Sequence, residues 1–460
     1  MATCYTHNEG RLPQELRDAI MDFLHNDPAS LRSCALAHRS LVFASQRHIF
    51  NSLILFTEPG MPEFEEPIAK FLLLDPIRLQ SILQQSPHLA SFVRNLCVAK
   101  HTIYHTASQD MALSPHEAKR LHIKSLIFCL QRFQCIECLG FDVESCSAWQ
   151  DFEFLQAVQN IITSPSLKCL DHECSHRMVY DLRNHIEYLS VCADMIPPPS
   201  IASQTGRFSV DFLQVLQVGI ETSLEFTSNL ERYLDVQNLK SLSIILVFLR
   251  SLHLPTNMQF LLPACGQSLV NLRLDVSRTN VDSGGVSSDS LLNFTFQDLC
   301  ALRTLYIELQ GPTFDITLPQ LVKLLATIPV GSANALEKLV ILTSLDLFDS
   351  RPWDGLWDLM TDSKHFPRLT TLRLGAFYSR FATAGEVAAK PSWHAHLLNK
   401  ELPLGSTLCV SIELVNDGMS LYHFCRVHIL NTVTSIKAGA FREPYSFWPT
   451  SGFDRLYTLH

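Results

Sequence analysis

A short apolar pattern recurs along the chain and constrains its fold more than any other feature. The pattern is apolar-x-x-apolar-x-apolar, and its central residue is leucine in every full copy. The central leucines of these copies are Leu96, Leu139, Leu189, Leu216, Leu242, Leu272, Leu305, Leu339 and Leu372. From Leu242 onward they follow one another at steps of 30, 33, 34 and 33 residues. A fixed period of this size is typical of a solenoid, in which one small structural unit stacks on the next.

Each copy predicts a short β-strand, because alternate apolar residues of a strand lie on one face. On this interpretation Leu272 and Leu305 are interior residues, and Arg273 and Arg303 point outward. Helical patterns occupy several intervals between the copies. They cover residues 114–133, 151–162 and 318–328, and the first opens with the capping box Ser-Pro-His-Glu. We therefore predict an α/β fold with a curved parallel sheet and helices on its outer side.

This arrangement resembles the leucine-rich-repeat architecture in an irregular form, over residues 91–415. The consensus asparagine three residues beyond each strand is absent, so the turns must be satisfied by other groups. A partial copy at Leu167 and Leu170 breaks at His172. Two turn-rich insertions, residues 197–208 and 277–290, interrupt the array after predicted strands.

Residues 12–50 predict three short helices. Pro13 is suited to the first turn of the first helix, because its missing N–H has no intrahelical partner there. Asp27-Pro28 ends that helix and begins the second, since aspartate is a good N-cap. Ser40 is the expected cap of the third. Three helices of this length bury too little surface to be stable alone, so their apolar stripes require a partner.

The same residues resemble the F-box-like domains of fungal proteins. The resemblance rests on the pattern L-P-x-E-L-x-x-x-I-x-x-x-L, the D-P-x-S-L break and the C-A-L-x-x-R-S pattern. It implies that the helices dock a Skp-type adaptor, which joins a cullin–RING ubiquitin ligase, while the repeat domain binds a protein substrate. The residues assigned to adaptor binding by this match are Leu12, Pro13, Leu16, Ile20, Leu24, Leu31 and Leu36. The alternative role for some of them, Leu36 above all, is in the core of the three helices.

The chain is predicted to contain four segments. They are an F-box domain at 1–55, an acidic linker with a helical cap at 56–90, the solenoid at 91–415 and a C-terminal cap at 416–460. Residues 58–67 are acidic and rich in proline, so few contacts are expected to cross them. Residues 68–85 are expected to pack near Val93 and Leu96 and to cover the N-terminal end of the solenoid. A fragment that begins near Pro67 is therefore expected to fold alone.

The composition excludes several classes of protein. Of 460 residues, 47% are hydrophobic and 18% are charged, which is typical of an ordered globular chain. The net charge is −9 and the basic residues are scattered, so neither nucleic acid nor a membrane is an expected partner. Residues 1–10 lack the apolar region of a secretory signal, and no apolar run approaches the ~20 residues that span a bilayer. We expect a cytoplasmic or nuclear protein whose 14 cysteines stay reduced.

The chain lacks the common catalytic and nucleotide-binding motifs. Its nearest approach to a metal site is Cys135-x-x-Cys138, followed downstream by Cys169, His172, Cys174 and His176. The ligand types and the first spacing suit zinc. Cys138, however, lies within a predicted strand, which is too extended and rigid for a metal-binding turn. We therefore expect no catalytic residue, no metal and no cofactor.

Three hypotheses about function follow. The first is a substrate receptor of a Skp–cullin–F-box ubiquitin ligase, which is not itself an enzyme. The second is a scaffold or binding protein that uses the F-box without ubiquitin transfer. The third is a catalytic protein with a metal site at Cys135 and Cys138. The sequence does not indicate which residues bind a substrate.

Overall fold

Parallel β-strands and intervening helices dominate the structure, as the repeated apolar pattern predicts. The computed structural model describes residues 13–25, 27–57, 72–99, 115–142, 148, 151–172, 186–192, 208–218, 234–248, 258–278, 295–310, 318–344, 354–379 and 408–417. The chain divides into two compact units, Met1–Leu170 and Asp171–His460. Both the predicted insertions and the segment after residue 417 lie wholly or almost wholly outside the described residues.

The first unit begins with the three predicted helices. Their bounds are α1 (Gln14–Phe23), α2 (Pro28–Ala37) and α3 (Arg39–Ile49). The Asp27 carboxylate caps α2, because it accepts hydrogen bonds from the backbone N–H groups of Ala29 and Ser30. The predicted cap of α3 was wrong by two residues. His38 is the N-cap, and its Nδ1 accepts the backbone N–H of Ser40.

A small apolar core holds these three helices together. Each helix supplies one buried residue to it, namely Met21, Leu31 and Ala44. Partly buried side chains packed around them are Leu24, Cys34, Leu41 and Ile49. The core is small, so other apolar residues of the helices stay on the surface.

A strand that the sequence analysis did not predict follows α3 almost at once. This strand, β1 (Ser52–Phe56), is buried along its whole length. It pairs in parallel with β2 (Leu72–Leu74) on one side and with β3 (Asn95–Ala99) on the other. The chain that leaves the helices therefore enters the interior of a sheet directly.

The position of β1 corrects the predicted role of the acidic segment 58–67, whose own residues lie outside the described ranges. The segment joins β1 to β2, which are neighbouring strands of one sheet, and does not separate the helices from the sheet. The predicted boundary at residue 55 falls inside β1. A fragment that begins near Pro67 would lack the interior strand β1, so we no longer expect it to fold alone.

The remaining elements of the first unit alternate between helix and strand. They are α4 (Pro76–Gln85), α5 (Pro115–Arg132), β4 (Cys138–Asp142), α6 (Phe152–Ile162) and β5 (Cys169–His172), which crosses the boundary between the units. A 3₁₀ turn (Pro87–Phe92) precedes β3. The strand order β2-β1-β3-β4 places β2 at the end of the described sheet. β2 is therefore the edge strand here, and it pairs with β1 and not with the segment around Val93 and Leu96. The expectation that residues 68–85 cover the end of the solenoid stays a prediction.

The second unit continues the pattern with parallel strands in chain order. The strands are β6 (Ile186–Cys192), β7 (Phe208–Val218), β8 (Leu234–Asp235), β9 (Ser241–Phe248), β10 (Asn271–Arg278), β11 (Thr304–Gln310), β12 (Lys338–Ser344), β13 (Thr371–Ser379) and β14 (Cys409–Asp417). The described helices are α7 (Met258–Cys265), α8 (Leu318–Leu325) and α9 (Asp354–Thr361). Only the two-residue β8 leaves the sequential order, because it pairs with the start of β7.

The central leucines of the repeats form one buried row across this sheet. Leu242, Leu272, Leu305, Leu339 and Leu372 are register partners on adjacent strands, and all are buried. The prediction failed at β7. The register partner of Leu242 is Leu213, not Leu216, because a second copy of the pattern at residues 210–215 overlaps the predicted one.

Backbone hydrogen bonds between repeats fix this register. The carbonyl just before a strand accepts two N–H groups of the next repeat, from the residue before its strand and from the first residue of that strand. In the second unit the accepting carbonyls belong to Lys240, Val270, Arg303 and Glu337. In the first unit they belong to Asn51, Arg94 and Glu137.

Hydroxyl side chains add hydrogen bonds between repeats in the turns that precede the strands. Ser268 Oγ donates to the Leu239 carbonyl over 2.9 Å, and Ser166 Oγ donates to the Ile136 carbonyl over 2.8 Å. Close packing of repeats also requires Gly266, since a Cβ there would overlap the Asp298 carbonyl oxygen. Serine hydroxyls and a close glycine contact thus link neighbouring repeats at the turns that precede the strands. Most positions of the missing asparagines, in the turns after the strands, lie outside the described residues.

The buried row yields a test of the strand assignment. Changing Leu305 to Ala should lower the free energy of unfolding by ~2–5 kcal/mol, because the change leaves a cavity between two packed strands. Changing Arg303 to Ala should alter it by less than about 0.5 kcal/mol, since that side chain is 60% exposed. Urea unfolding measures both. A larger loss for the Arg303 variant would show that the strand phase is wrong.

Candidate functional site

The surface of α1 carries an exposed apolar stripe. Leu16, Ile20 and Phe23 are 51%, 46% and 87% exposed, and their spacing puts them on one side of the helix. Large apolar side chains that stay this exposed together are a mark of an interaction surface. We call these three residues the α1 stripe. Leu36 of α2 is also open to solvent, at 89% exposure.

The predicted adaptor-binding residues differ in how far they are exposed to solvent. Leu16, Ile20 and Leu36 are exposed, as is Pro13. Leu24 is half-buried against the helical core. Leu12 lies outside the described residues.

Two assignments within this set require correction. Leu31 is 1% exposed and packs against Met21 and Ala44, so it stabilises the helices and does not belong to a binding surface. Leu36 is not in the core, which was the alternative given for it. Phe23 was missed, although it follows Ile20 by three residues and so continues the same side of α1.

An ionic contact at the end of α1 holds this helix against α3. Asp22 Oδ1 lies 2.8 Å from Nε2 of His48 and 3.6 Å from the Arg47 guanidinium. Burial lowers the pKa of His48 below its usual value of 6.5, and the Asp22 carboxylate only partly offsets this. His48 is therefore mainly neutral at pH 7 and donates to Asp22 through Nε2. Because its folded pKa is lowered, its contribution to stability is present above pH ~6.5 and is lost as the pH falls through the folded pKa.

The helices are joined to the first sheet without a spacer. The Asn51 carbonyl, one residue before β1, accepts the backbone N–H groups of Arg94 and Asn95. Phe43 of α3 meets Phe92 of the 3₁₀ turn edge to face, with ring centroids 5.0 Å apart. The α1 stripe is thus presented on a scaffold that is fixed to the start of the sheet.

A second notable cluster lies on the sheet of the second unit, on the face opposite the leucine row. The Nη2 atom of Arg273 lies 2.9 Å from Glu308 Oε2 and 3.2 Å from Asp275 Oδ2. The Arg273 guanidinium also lies over the Tyr306 ring, 4.8 Å from its centroid, and Tyr306 donates its hydroxyl to Glu308. The prediction that Arg273 points outward was wrong, because its side chain is only 12% exposed.

Burial dominates the electrostatics of this cluster. Asp275 is 2% exposed and Glu308 is fully buried. Desolvation raises the pKa of Asp275 to about 8, and the neighbouring Glu308 adds to the rise, while Arg273 opposes it. Asp275 is therefore largely protonated at neutral pH.

Most of the cysteine side chains that the structure describes are buried. Cys138 and Cys169 are buried and Cys135 is half-buried, whereas Cys174 and His176 lie outside the described residues. Within the part of the chain that the structure describes, no three potential metal-ligating side chains come close enough to hold an ion. Burial raises the pKa of Cys129 and Cys265 to about 12, so both stay as unreactive thiols.

Comparisons with known proteins assign neither a family nor a function to this chain. No family model matches the sequence, and no curated protein matches it significantly. Among the described helices, none has the length and apolar character needed to cross a membrane. The candidate sites thus rest on the geometry of this chain.

The Arg273 cluster provides a test that reverses the expectation from sequence. Changing Arg273 to Ala should lower the free energy of unfolding by about 3–5 kcal/mol, because two buried carboxyl groups lose their shared cation. The control is Arg368→Ala, at an exposed position before β13, which should change stability little. Thermal and urea unfolding measure both. Equal, small effects would mean that Arg273 faces solvent.

Proposed function

We propose that this chain is a substrate receptor of a Skp–cullin–F-box ubiquitin ligase. In this proposal α1 to α3 dock a Skp-type adaptor, and the parallel-sheet units bind a protein substrate. The observation that carries it is the exposed α1 stripe, on helices whose sequence resembles an F-box. The protein would itself perform no chemistry.

The energetics favour a protein partner for the α1 stripe. Full burial of a leucine, isoleucine or phenylalanine side chain is worth ~1.5–3 kcal/mol. Leu16, Ile20 and Phe23 can therefore supply a central cluster of contacts of the kind that dominates binding energy at interfaces. They take no part in the helical core, which is formed by Met21, Leu31 and Ala44.

The joint between the helices and the sheet suits the proposed mechanism. A substrate receptor accelerates ubiquitin transfer by raising the effective concentration of a substrate lysine near the ubiquitin carrier. This requires a defined distance between the adaptor and the substrate. The direct entry from α3 into β1 and the Phe43–Phe92 contact provide the stiffness at the adaptor end.

The burial of one face of the sheet limits where a substrate can bind. On β9 to β12, residues of the face opposite the leucine row are buried, including Ser243, Asp275, Glu308 and Leu342. A large partner cannot contact these side chains directly. We therefore expect the substrate to bind at other parts of the chain.

The docking role of the α1 stripe is tested by a double variant. Changing Leu16 and Ile20 to Asp should abolish binding to a purified Skp-type adaptor, because each change places an unpaired charge in an apolar interface. Both positions are exposed, so the helices should still fold. The measurement is a pull-down with circular dichroism as the check on folding.

The matched control for this variant is Phe152→Asp. Phe152 begins α6 and is 77% exposed, so the change has the same chemistry on a different surface. It should leave adaptor binding intact. Retained binding by the folded double variant would overturn the docking proposal. Recovery of the adaptor without cullin would instead favour the scaffold hypothesis.

A further inference from the structure

Two carboxyl groups meet on neighbouring strands in the middle of the second unit. Asp275 of β10 and Glu308 of β11 are register partners, and both point away from the leucine row. Partners on adjacent parallel strands lie about 4.8 Å apart along the hydrogen-bonding direction. Two buried negative charges at this separation repel each other strongly.

The carboxyl groups of Glu308 and Asp275 differ in the hydrogen bonds that they accept. Glu308 Oε2 accepts from Arg273 over 2.9 Å and from the Tyr306 hydroxyl over 2.9 Å. Asp275 Oδ2 accepts from Arg273 over 3.2 Å, and Asp275 Oδ1 is buried with no hydrogen-bond partner. An ionised Asp275 would therefore leave charge on a buried oxygen that has no hydrogen-bond donor, whereas Glu308 Oε2 has two donors.

The net charge of the cluster also favours a protonated Asp275. Arg273 supplies one positive charge, and two ionised carboxylates would leave a net charge of −1 in a buried site. With Asp275 protonated, the sum is zero. A neutral cluster is far less costly to bury than a charged one.

The register partners of the cluster on the two flanking strands carry no charge. On β9 the register partners of Arg273 and Asp275 are Ser243 and Ile245, and on β12 those of Tyr306 and Glu308 are Val340 and Leu342. Two cations lie on the neighbouring strands β12 and β13, namely Lys338, the register partner of Thr304, and Arg373, the register partner of Val340. The register partner of Glu308 on β12 is Leu342, four residues beyond Lys338, and Arg373 is on the second strand from Glu308.

We propose that Asp275 is a proton-binding site that makes the second unit sensitive to pH. At low pH the bound proton keeps the Arg273–Asp275–Glu308 cluster neutral and the surrounding strands firmly paired. As the pH rises toward about 8, folding must hold a proton that the unfolded aspartate would release, so the pairing of β10 and β11 weakens. Above this pH the proton leaves, and the cluster carries an unbalanced buried charge.

The sign of the effect follows from linkage. The folded pKa of Asp275 is raised to about 8, whereas an unfolded aspartate titrates near 3.9. Between these values unfolding releases one proton, so stability is greatest at low pH and falls as the pH rises. The equilibrium constant for folding should fall about tenfold per pH unit through this window, and the dependence should level off above pH ~8.

Native-state amide exchange of the full chain tests this proposal. The protection factors of amides in β10 and β11, corrected for the intrinsic pH dependence of exchange, should fall about tenfold per pH unit between pH 5 and 8. The variant Asp275→Asn should remove this dependence. The control Asp358→Asn, at an exposed position in α9, should retain it.

A second variant covers the case in which Asp275→Asn does not fold. In Glu308→Gln, Asp275 becomes the only carboxyl group beside Arg273, so it should release its proton at lower pH. In this variant the fall of the protection factors should therefore end at a lower pH than in the unchanged protein. Protection factors of the unchanged protein that stay constant from pH 5 to 8 would overturn the proposal. An unaltered slope in folded Asp275→Asn would do the same.

Discussion

One repeated hydrogen-bond arrangement sets the register of most neighbouring strands that the structure describes. The carbonyl just before a strand accepts two backbone N–H groups from the next repeat, as Lys240 does from Val270 and Asn271. This fixes where the next strand begins and therefore its register. Once the register is fixed, side chains at equivalent positions form rows across the sheet. The leucine row on one face and the Arg273 cluster on the other are both consequences.

The same arrangement joins the N-terminal helices to the first sheet. Asn51 is the first residue of the chain in this role, and it lies directly after α3. The three helices therefore extend the first unit and are not an independent module on a linker. Their orientation matters for the proposed function, because a receptor must hold its partners at a defined separation. The α1 stripe faces solvent, outside the core that the three helices share.

The sequence predicts the parts of this fold that depend on local patterns. Period-2 leucines located most of the strands, and Asp27-Pro28 located the start of α2. β1 was missed because Ser52–Phe56 is buried on both faces, so its sequence is a continuous apolar run without alternation. On β7 we predicted Leu216 as the central leucine, but the structure has Leu213 in that place. Two copies of the pattern overlap there, and only the pairing with β9 distinguishes them.

The errors in the candidate sites have a similar cause. Arg273 was expected in solvent, because alternation shows that it lies opposite Leu272 but does not show that this opposite face is also buried. Leu31 and Leu36 were assigned one role together, although they differ in burial by almost the full range. The helical period is known from sequence, but the direction from which α1 and α3 cover α2 is not.

Amide exchange of the intact chain, with and without a purified Skp-type adaptor, tests the central claim most directly. The proposed docking predicts slower exchange in Gln14–Phe23 and around Leu36, and no change in β10 and β11. The α1 stripe would then be the surface that the adaptor covers. Unchanged exchange in all three helices at saturating adaptor, or slower exchange only within the sheet strands, would contradict the claim.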